Sequence, residues 1–283
     1  SEINPSYPLI IDPKLIFSTY SGSVGDNFGF TATYDSRGNL YSGGIVNNDG
    51  PYPVTAGAYD VTWNGGGNFT PPANLACDIA ISKYDSAGTQ LLWATFLGGN
   101  LDEYPHSLVS DNNDTLVMLG TAYSENYPVS DNGYDTSHGG STDIIVTKIS
   151  ADGTSLLGST FLGGPLRDGL TLNNERQYRT GDLKYNYADD YRGDIITDDV
   201  GNIYVATMAR SKNMPTKLAT QTTSAGDLDG YAFELNPDCS DLLWGTYIGG
   251  IKQDAFYSIV LEQSSKRIIL GGGTASDNIQ TKG

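Results

Sequence analysis

Three carboxylates in the third quarter of the sequence have the residue types that acid–base catalysis requires. Asp189, Asp190 and Asp194 each occur once and not in every repeat. A pair of carboxyl groups that flank a glycosidic bond is the usual machinery of glycoside hydrolysis. These aspartates therefore support one hypothesis, a polysaccharide-active enzyme that acts as a hydrolase or lyase.

Other carboxylates recur along the chain, and this recurrence argues against catalysis. One set, which follows a recurring threonine by seven or eight residues, is Asp26, Asp102, Asp168 and Asp254, and a second set is Asp78, Asp143 and Asp229. A catalytic residue is needed once, whereas an aspartate that caps a loop through side-chain-to-backbone hydrogen bonds is needed in every repeat. We therefore expect the recurring carboxylates to stabilise loops.

The chain has only two histidines, and neither stands in a catalytic motif. His106 takes the place that Phe30 has in an earlier repeat, so it is expected to pack. His138 lies in the glycine-rich stretch TSHGGST and could supply one member of a Ser-His-Asp triad, but no nucleophile elbow accompanies it. We expect no catalytic residues and no enzyme activity.

A calcium ion is the one cofactor that the sequence leaves open. The oxygen-rich stretch Asp227-Leu228-Asp229-Gly230 offers hard ligands, with Asp227 and Asp229 as the candidates. The distal bidentate glutamate of calcium loops is missing. No cofactor is required by the sequence, and calcium stays an open possibility.

Aromatic residues in the long connections are the candidates for a binding surface. They are Trp63, Tyr127, Tyr178, Tyr185, Tyr187 and Tyr191. Such side chains can stack on sugars or on a partner protein. The alternative, in which each aromatic packs under its own loop, is equally compatible with the sequence.

Composition and charge restrict the class of protein. The chain has 283 residues, 35 glycines, 19 tyrosines and a formal net charge of −17. A polyanion would be repelled, so nucleic acid and anionic lipid are not expected as partners. No apolar run approaches the roughly 20 residues of a membrane span. Cys77 and Cys239 belong to no metal-binding motif, and we expect no disulfide between them.

One motif recurs four times and explains most of the sequence. LIFSTYSGSVGD, LLWATFLGGNLDE, LLGSTFLGGPLRD and LLWGTYIGGIKQD place their threonines at positions 19, 95, 160 and 246. Each copy is followed by an alternating strand, a tight turn, a second strand, a longer loop and a third strand that opens on aspartate. Four short antiparallel strands in each unit predict an all-β fold, a β-propeller with four-stranded blades.

The ordered set of submotifs resembles the SBBP-type β-propeller repeat. Its carriers here are sTYLGG, D-x-x-GN-[IL]-Y-V, YP-x-T-x-x-A-Y and D-[AI]-x-[VI]-x-K, over roughly residues 9–283. Such repeats are found in exported cell-surface proteins of Bacteroidota, including proteins associated with gliding motility. The resemblance implies an extracellular location at the bacterial cell surface and routing through type IX secretion, with that export machinery as one partner. It carries no catalytic residues. The chain departs from the pattern at residues 165–192, an insertion in the third unit.

About three and a half blades are visible. We expect a lead-in segment at 1–14, and a propeller at 15–283 with blades at 28–97, 106–162 and 193–248 and a partial blade at 256–283. Residues 15–20 are expected to form an outer strand. The strand after each aspartate turn is interpreted as innermost. These blades predict part of a larger ring; the alternative is a closed four-bladed ring in which 7–11 and 15–20 complete blade four.

Alternate connections of a meander emerge on opposite faces, so the long connections are expected on one face, which we call the long-loop face. Loops on a rigid scaffold commonly carry function. We therefore expect a non-enzymatic, exported interaction and display module that binds protein or glycan through this face, linked to gliding or adhesion. The alternatives are the polysaccharide-active enzyme and a rigid spacer or export cargo with no ligand of its own.

Overall fold

The computed structural model describes residues 15–21, 27–47, 52–65, 77–171, 190–262 and 264–279. Within these ranges the chain is all β, with fourteen strands and no helix. The first sheet contains β1 (Asn27–Tyr34), β2 (Leu40–Asn47), β3 (Cys77–Tyr84) and β4 (Leu91–Leu97), in chain order. Every neighbouring pair in it is antiparallel.

Two more sheets repeat this arrangement, and a fourth is half as wide. The second contains β5 (Glu103–Ser110), β6 (Leu116–Ala122), β7 (Asp143–Ile149) and β8 (Leu156–Leu162). The third contains β9 (Asp194–Thr197), β10 (Ile203–Ala209), β11 (Asp229–Leu235) and β12 (Leu242–Ile248), and the fourth pairs β13 (Asp254–Glu262) with β14 (Arg267–Thr274). The all-β prediction is confirmed, and the four-stranded antiparallel sheets have the architecture of propeller blades. We number them blades one to four.

The first turn of each complete blade is built by an aspartate. Asp35, Asp111 and Asp198 each accept two backbone N–H groups, two and four residues further on, at 2.9–3.0 Å. The residue three positions after each aspartate has positive φ: Gly38 (79°), Asp114 (58°) and Gly201 (90°). Glycine tolerates that conformation best, which explains the glycine in two of these turns.

The first strand of each blade is the innermost one, as the sequence predicted. β1 contacts β5, β5 contacts β9, and β9 contacts β13, whereas the fourth strands lie at the outside. The cores therefore lie between blades. One cluster joins blades one and two through Tyr41, Trp93 and Met118. Another joins blades two and three through Val117, Ile203 and Phe233.

The loops that follow the second strands run along the outer edge of their own blades. Thr95 Oγ1 accepts the N–H of Asp60 at 2.9 Å and donates to its carbonyl at 2.8 Å. The same pair of bonds joins Thr160 to Asp135, and Thr246 bonds Gln221 in the same way. The recurring threonine thus fastens a loop across the exposed edge of the fourth strand, which protects that edge from pairing with another chain.

Residues 15–20 form no strand, so the expected outer strand is not present. Leu15, Ile16 and Tyr20 are largely exposed, and only Phe17 is half-buried. The ring of Phe17 lies directly against Gly88 of blade one, just as Trp93 lies against Gly153 of blade two. The segment therefore occupies the position of an outer strand, but the described residues give it no third strand to pair with.

Candidate functional site

A group of aromatic side chains gathers where the inner strands begin, on the long-loop face. Tyr104 of β5 stacks on Tyr191 with ring centroids 4.2 Å apart and an interplanar angle of 26°. Phe30 of β1 meets Tyr191 edge-on at 5.9 Å, and Tyr123 meets Tyr104 at 6.3 Å. All four residues are partly exposed. We call these four residues the axial aromatic cluster.

Bulges in the inner strands aim side chains towards this cluster. The register shifts between Gly29 and Thr31, and between Pro105 and Ser107, leaving Phe30 and His106 as the extra residues. β13 has the same shift, with Tyr257 as the extra residue. A bulge bends its strand and redirects a side chain, and such bulges are often found next to functional sites. The same irregularity in three blades therefore forms the scaffold of the cluster.

His106 packs against the axial aromatic cluster. Its ring lies 6.4 Å from Tyr191, and its Nε2 is 3.0 Å from Thr121 Oγ1. Burial lowers the pKa of His106 to about 3, so the ring is neutral at physiological pH. His138 packs edge-on against Phe161 at 5.5 Å, with Nε2 3.2 Å from the Ala122 carbonyl. Both histidines therefore have packing roles.

The cluster offers neutral rings with hydroxyl groups. Burial raises the pKa values of Tyr104 and Tyr191 far above that of a free tyrosine, so both phenols stay protonated. The guanidinium of Arg192 lies over the ring of Tyr257 at 5.4 Å, which extends the aromatic surface to blade four. Partly exposed rings with polar edges can stack on a sugar ring or on a protein side chain.

Of the six aromatic residues predicted to form a binding surface, one lies in the axial aromatic cluster, two pack within their own blades and three are not described. Tyr191 belongs to the axial aromatic cluster, whereas Tyr178, Tyr185 and Tyr187 lie outside the described residues. Trp63 donates its Nε1–H to the Val46 carbonyl at 3.3 Å and packs against a small apolar cluster of its own blade. Tyr127 is only 2% exposed and hydrogen-bonds Thr147 at 2.8 Å, so it is a core residue and offers no stacking surface.

Two of the three single-copy carboxylates have structural partners, and Asp189 lies outside the described residues. Asp190 is buried and accepts a hydrogen bond from Thr171 Oγ1 at 3.2 Å. Asp194 joins three inner strands, because it accepts Ser107 Oγ at 3.0 Å, Ser258 Oγ at 3.3 Å and the Ile259 N–H at 3.1 Å. Asp194 therefore holds blades two, three and four together near the axis.

The recurring carboxylates stabilise loops, as expected, but the sequence misplaced one of them. Asp168 accepts the N–H of Gly164 at 2.9 Å, and Asp254 accepts that of Gly250 at 2.7 Å. At the first junction the acceptor is Glu103, bonded to Gly99 at 3.0 Å, and not Asp102. The capping carboxylate lies four residues after the second glycine of each Gly-Gly pair, which is Gly99, Gly164 or Gly250. Asp26 lies outside the described residues.

The aspartate that opens each third strand is also a loop cap. Asp78, Asp143 and Asp229 accept the N–H of Asn64, Gly139 and Ala225 at 2.6–2.8 Å. Each carboxyl lies directly against the first glycine of a pair, Gly98, Gly163 or Gly249, where a Cβ would not fit. This close approach explains why that position is glycine.

Each of these caps lies close to the carboxylate that accepts the N–H of the second glycine at the same junction, so each junction between blades buries two acids. The pairs are Asp78 with Glu103, Asp143 with Asp168, and Asp229 with Asp254, all 2% exposed or less. Burial raises the pKa of Asp78 to about 7, of Glu103 to about 8 and of Asp143 to about 6. One oxygen of Asp78, Glu103, Asp143, Asp229 and Asp254 has no hydrogen-bond partner within the described residues.

A short motif after the second strands completes these junctions, and our sequence analysis missed it. Ser124-Glu125-Asn126, Ser211-Lys212-Asn213 and Ser276-Asp277-Asn278 share the spacing S-x-N. Ser124, Ser211 and Ser276 accept N–H groups from the glycine-pair loops at 2.8–3.0 Å. The side-chain oxygens of Asn126 and Asn278 accept the neighbouring N–H groups at 2.9 and 3.0 Å. The repeated spacing was the available signal.

The calcium candidates both have protein partners. Asp227 forms an ion pair with Arg210 at 2.7 Å, and Asp229 is the fully buried cap described above. Across the described ranges, no group of three or more His, Cys, Asp or Glu side chains is arranged to hold a metal ion. Calcium binding therefore stays a prediction of the sequence that these contacts do not support. Cys77 and Cys239 are both buried and free, as predicted.

Comparison with known protein families and with curated proteins returns no match for this chain. The resemblance to the SBBP-type repeat accordingly remains an interpretation of the sequence motifs. The part of the chain that the structure describes contains no helix that is long and apolar enough to cross a bilayer.

Proposed function

We propose that the chain is a non-enzymatic interaction module of an exported, cell-surface β-propeller, and that it binds a protein or glycan through the axial aromatic cluster. The single observation that carries this proposal is the stack of Tyr104 and Tyr191, ringed by Phe30 and Tyr123 and partly open to solvent. Rings from four chain segments converge there, where the inner strands begin on the long-loop face. Aromatic side chains that are partly open to solvent are common contact points for sugars and partner proteins.

A non-enzymatic role is supported by what the acids and histidines do. Asp194 and Asp190 accept structural hydrogen bonds, the recurring carboxylates cap loops, and both histidines pack against aromatic rings. Each of these groups has a role in holding the fold together. The cell-surface setting rests on the motif resemblance, which also implies export by type IX secretion and a link to gliding or adhesion.

The acidic character of the chain limits the partner. With a net charge of −17, the protein repels anionic polymers and anionic lipid at low ionic strength. The tyrosines at the cluster are neutral, so recognition there depends on stacking and on hydroxyl hydrogen bonds. We therefore infer a neutral or basic partner: an uncharged glycan, or a protein that presents aromatic or basic side chains.

Binding of the labelled chain to cell surfaces, with and without the cluster, tests this function. We expect Tyr191→Ala to reduce binding at least tenfold, because it removes one half of the stacked pair. Tyr134→Ala is the matched control, since Tyr134 is 37% exposed in the loop on the outer side of blade two. Equal binding by wild type, Tyr191→Ala and Tyr134→Ala would contradict the proposal.

A further inference from the structure

The rings of the axial aromatic cluster are steeply inclined to one another. Phe30 makes an angle of 80° with Tyr191 and of 54° with Tyr104, and Tyr123 makes an angle of 71° with Tyr104. Tyr104 and Tyr191, which are nearly parallel at 26°, already cover one face of each other. The aromatic surface is therefore divided into inclined faces that meet in corners, and it suits a small, compact group better than a flat sugar ring.

The spacing of these inclined rings fits a positively charged group. The negative face of an aromatic ring attracts a cation that lies within about 6 Å of the ring centroid. The centroids of Phe30 and Tyr191 are 5.9 Å apart, and those of Tyr104 and Tyr123 are 6.3 Å apart. When two rings are this close and nearly at right angles, a cation beside their corner lies within reach of both centroids. Each corner can therefore attract one cation with two rings at once.

The chain already places one guanidinium on a ring beside the cluster. Arg192 directly follows Tyr191, and its Cζ lies 5.4 Å from the centroid of the Tyr257 ring. Tyr257 is the extra residue in the bulge of β13, and Phe30 is the extra residue in the bulge of β1. A ring presented by such a bulge is thus seen to accept a guanidinium in this fold, and Phe30 presents a second ring from the same position of blade one.

Carboxylates close to the rings add negative potential at the cluster. The Tyr104 hydroxyl donates to Asp102 Oδ2 at 3.5 Å, and Asp190 directly precedes Tyr191 in the chain. Burial is the main cause of the raised pKa values of Tyr104 and Tyr191, and the charges of Asp102 and Asp190 raise them further. The net charge of −17 attracts cations over a longer range. This potential favours a cationic group and gives an uncharged sugar no advantage.

We propose that the axial aromatic cluster binds an arginine side chain on a basic segment of a partner protein, with the guanidinium held between inclined rings. This inference rests on the function proposed above and narrows it, because it selects a basic protein over an uncharged glycan as the partner. Arginine fits better than lysine, since its planar guanidinium stacks on one ring and still donates hydrogen bonds at its edge. The hydroxyl oxygens of Tyr104, Tyr123 and Tyr191 are acceptors of the required kind.

Calorimetric titration of the full chain with tri-arginine tests this site. We expect tri-arginine to bind at least tenfold more tightly than tri-citrulline, which has nearly the same shape but no charge. Tyr191→Ala should weaken tri-arginine binding at least tenfold, whereas Tyr134→Ala, on the outer side of blade two, should not change it. Neither substitution alters the net charge, so a general attraction to the acidic chain would persist in both variants. Unchanged binding by Tyr191→Ala would therefore overturn the proposal.

A variant that keeps the shape of the ring separates its electrostatics from its packing. Tyr191→Phe and the same variant with its phenyl ring pentafluorinated differ little in size, but fluorine withdraws electrons and removes the negative potential of the ring face. We expect the pentafluorinated form to bind tri-arginine at least tenfold more weakly than Tyr191→Phe. Both forms keep a ring against Tyr104, so the comparison holds even where Tyr191→Ala disturbs the fold. Equal affinities would contradict the proposed contact.

Competition for binding to cell surfaces distinguishes a failure of this inference from a failure of the proposed function. We expect excess tri-arginine to displace the labelled chain, and excess laminarihexaose, an uncharged glucose oligomer, to leave it bound. Displacement by laminarihexaose alone, or by neither probe although binding depends on Tyr191, would overturn the arginine site and leave the proposed function standing. Surface binding that Tyr191→Ala does not alter would contradict the proposed function, and the titration with tri-arginine would still decide on the arginine site.

Discussion

At the scale of single residues, one carboxylate near the axis has a larger structural role than its single occurrence suggests. Asp194 takes the inner-strand register position that Thr31, Ser107 and Ser258 hold in the other blades. Its two oxygens bond Ser107, Ser258 and the Ile259 N–H, at 3.0–3.3 Å. Short hydroxyl side chains alone could not span these three strands.

Replacing this aspartate should destabilise the protein. We expect Asp194→Ala to lower the free energy of unfolding by about 2 kcal/mol, because three hydrogen bonds to a charged acceptor are lost. Asp194→Asn keeps one acceptor oxygen and should cost less. Urea unfolding measures both, with Asp199→Ala on the exposed turn of blade three as the control. An Asp194→Ala variant as stable as the control would show that these hydrogen bonds contribute nothing to the free energy of unfolding.

Several residue assignments were beyond the reach of the sequence for identifiable reasons. The sequence places Tyr127 in a loop, and only the folded structure shows that its hydroxyl is buried and hydrogen-bonded to Thr147. Glu103 was overlooked because the repeats were aligned on their threonines, whereas hydrogen bonding keeps the distance from the second glycine constant. Tyr104 joins Tyr191 across 87 positions of sequence, a pairing that strand bulges and an inserted segment determine together.

At the scale of elements, turn chemistry made the blades predictable. Aspartate-started turns with a glycine or aspartate in the left-handed region, separated by alternating strands, identify four-stranded units without any tertiary information. The paths of the long loops could not be read in the same way. These loops follow the outer strands because a threonine hydroxyl hydrogen-bonds their backbone. A threonine is common in strands, so its presence in the sequence does not indicate this role.

The loop fastening can be tested at one blade. Thr95→Val keeps the shape of the side chain but removes the bonds to the N–H and carbonyl of Asp60. We expect a loss of about 1 kcal/mol in stability and faster amide exchange across residues 52–65. Thr222→Val, in the exposed part of the blade-three loop, is the control. Unchanged exchange across 52–65 would mean that packing, not the hydroxyl, holds the loop.

The buried acid pairs between blades predict how stability depends on pH. Folding raises the pKa of Asp78 to about 7 and that of Glu103 to about 8, mainly through burial. The stabilisation is therefore complete at low pH and is lost as pH rises through these values. Between pH 6.5 and 8.5 the free energy of unfolding should fall, by on the order of 1 kcal/mol for each carboxyl. His106, whose pKa folding lowers to about 3, opposes this trend only below pH 6.5.

Urea unfolding in EDTA across that pH range measures the effect. Asp78→Asn should flatten the curve, whereas Asp152→Asn, on an exposed turn, should leave it unchanged. Repeating the series with calcium chloride tests the calcium prediction at the same time, because calcium held by Asp227 and Asp229 would raise the free energy of unfolding above its value in EDTA. A curve that rises between pH 6.5 and 8.5 in EDTA would contradict the acid-pair account.

At the scale of the whole molecule, stability should decline towards blade four. Blades one to three have four strands each, whereas blade four has two within the described residues, and β14 has a free edge. We expect the amides of β13 and β14 to exchange faster than those of β5 to β8 in dilute solution. Uniform protection across all four blades would contradict this order.

Oxidative footprinting reports directly whether partners bind at the axial aromatic cluster. The chain would be oxidised briefly while bound to its cell surface and while free, and the modified tyrosines would be read by mass spectrometry. We expect protection of Tyr104, Tyr123 and Tyr191, with Tyr134 on the outer side of blade two unchanged. Protection of Tyr134 with the cluster still oxidised at its free rate would place the binding surface elsewhere and contradict the account.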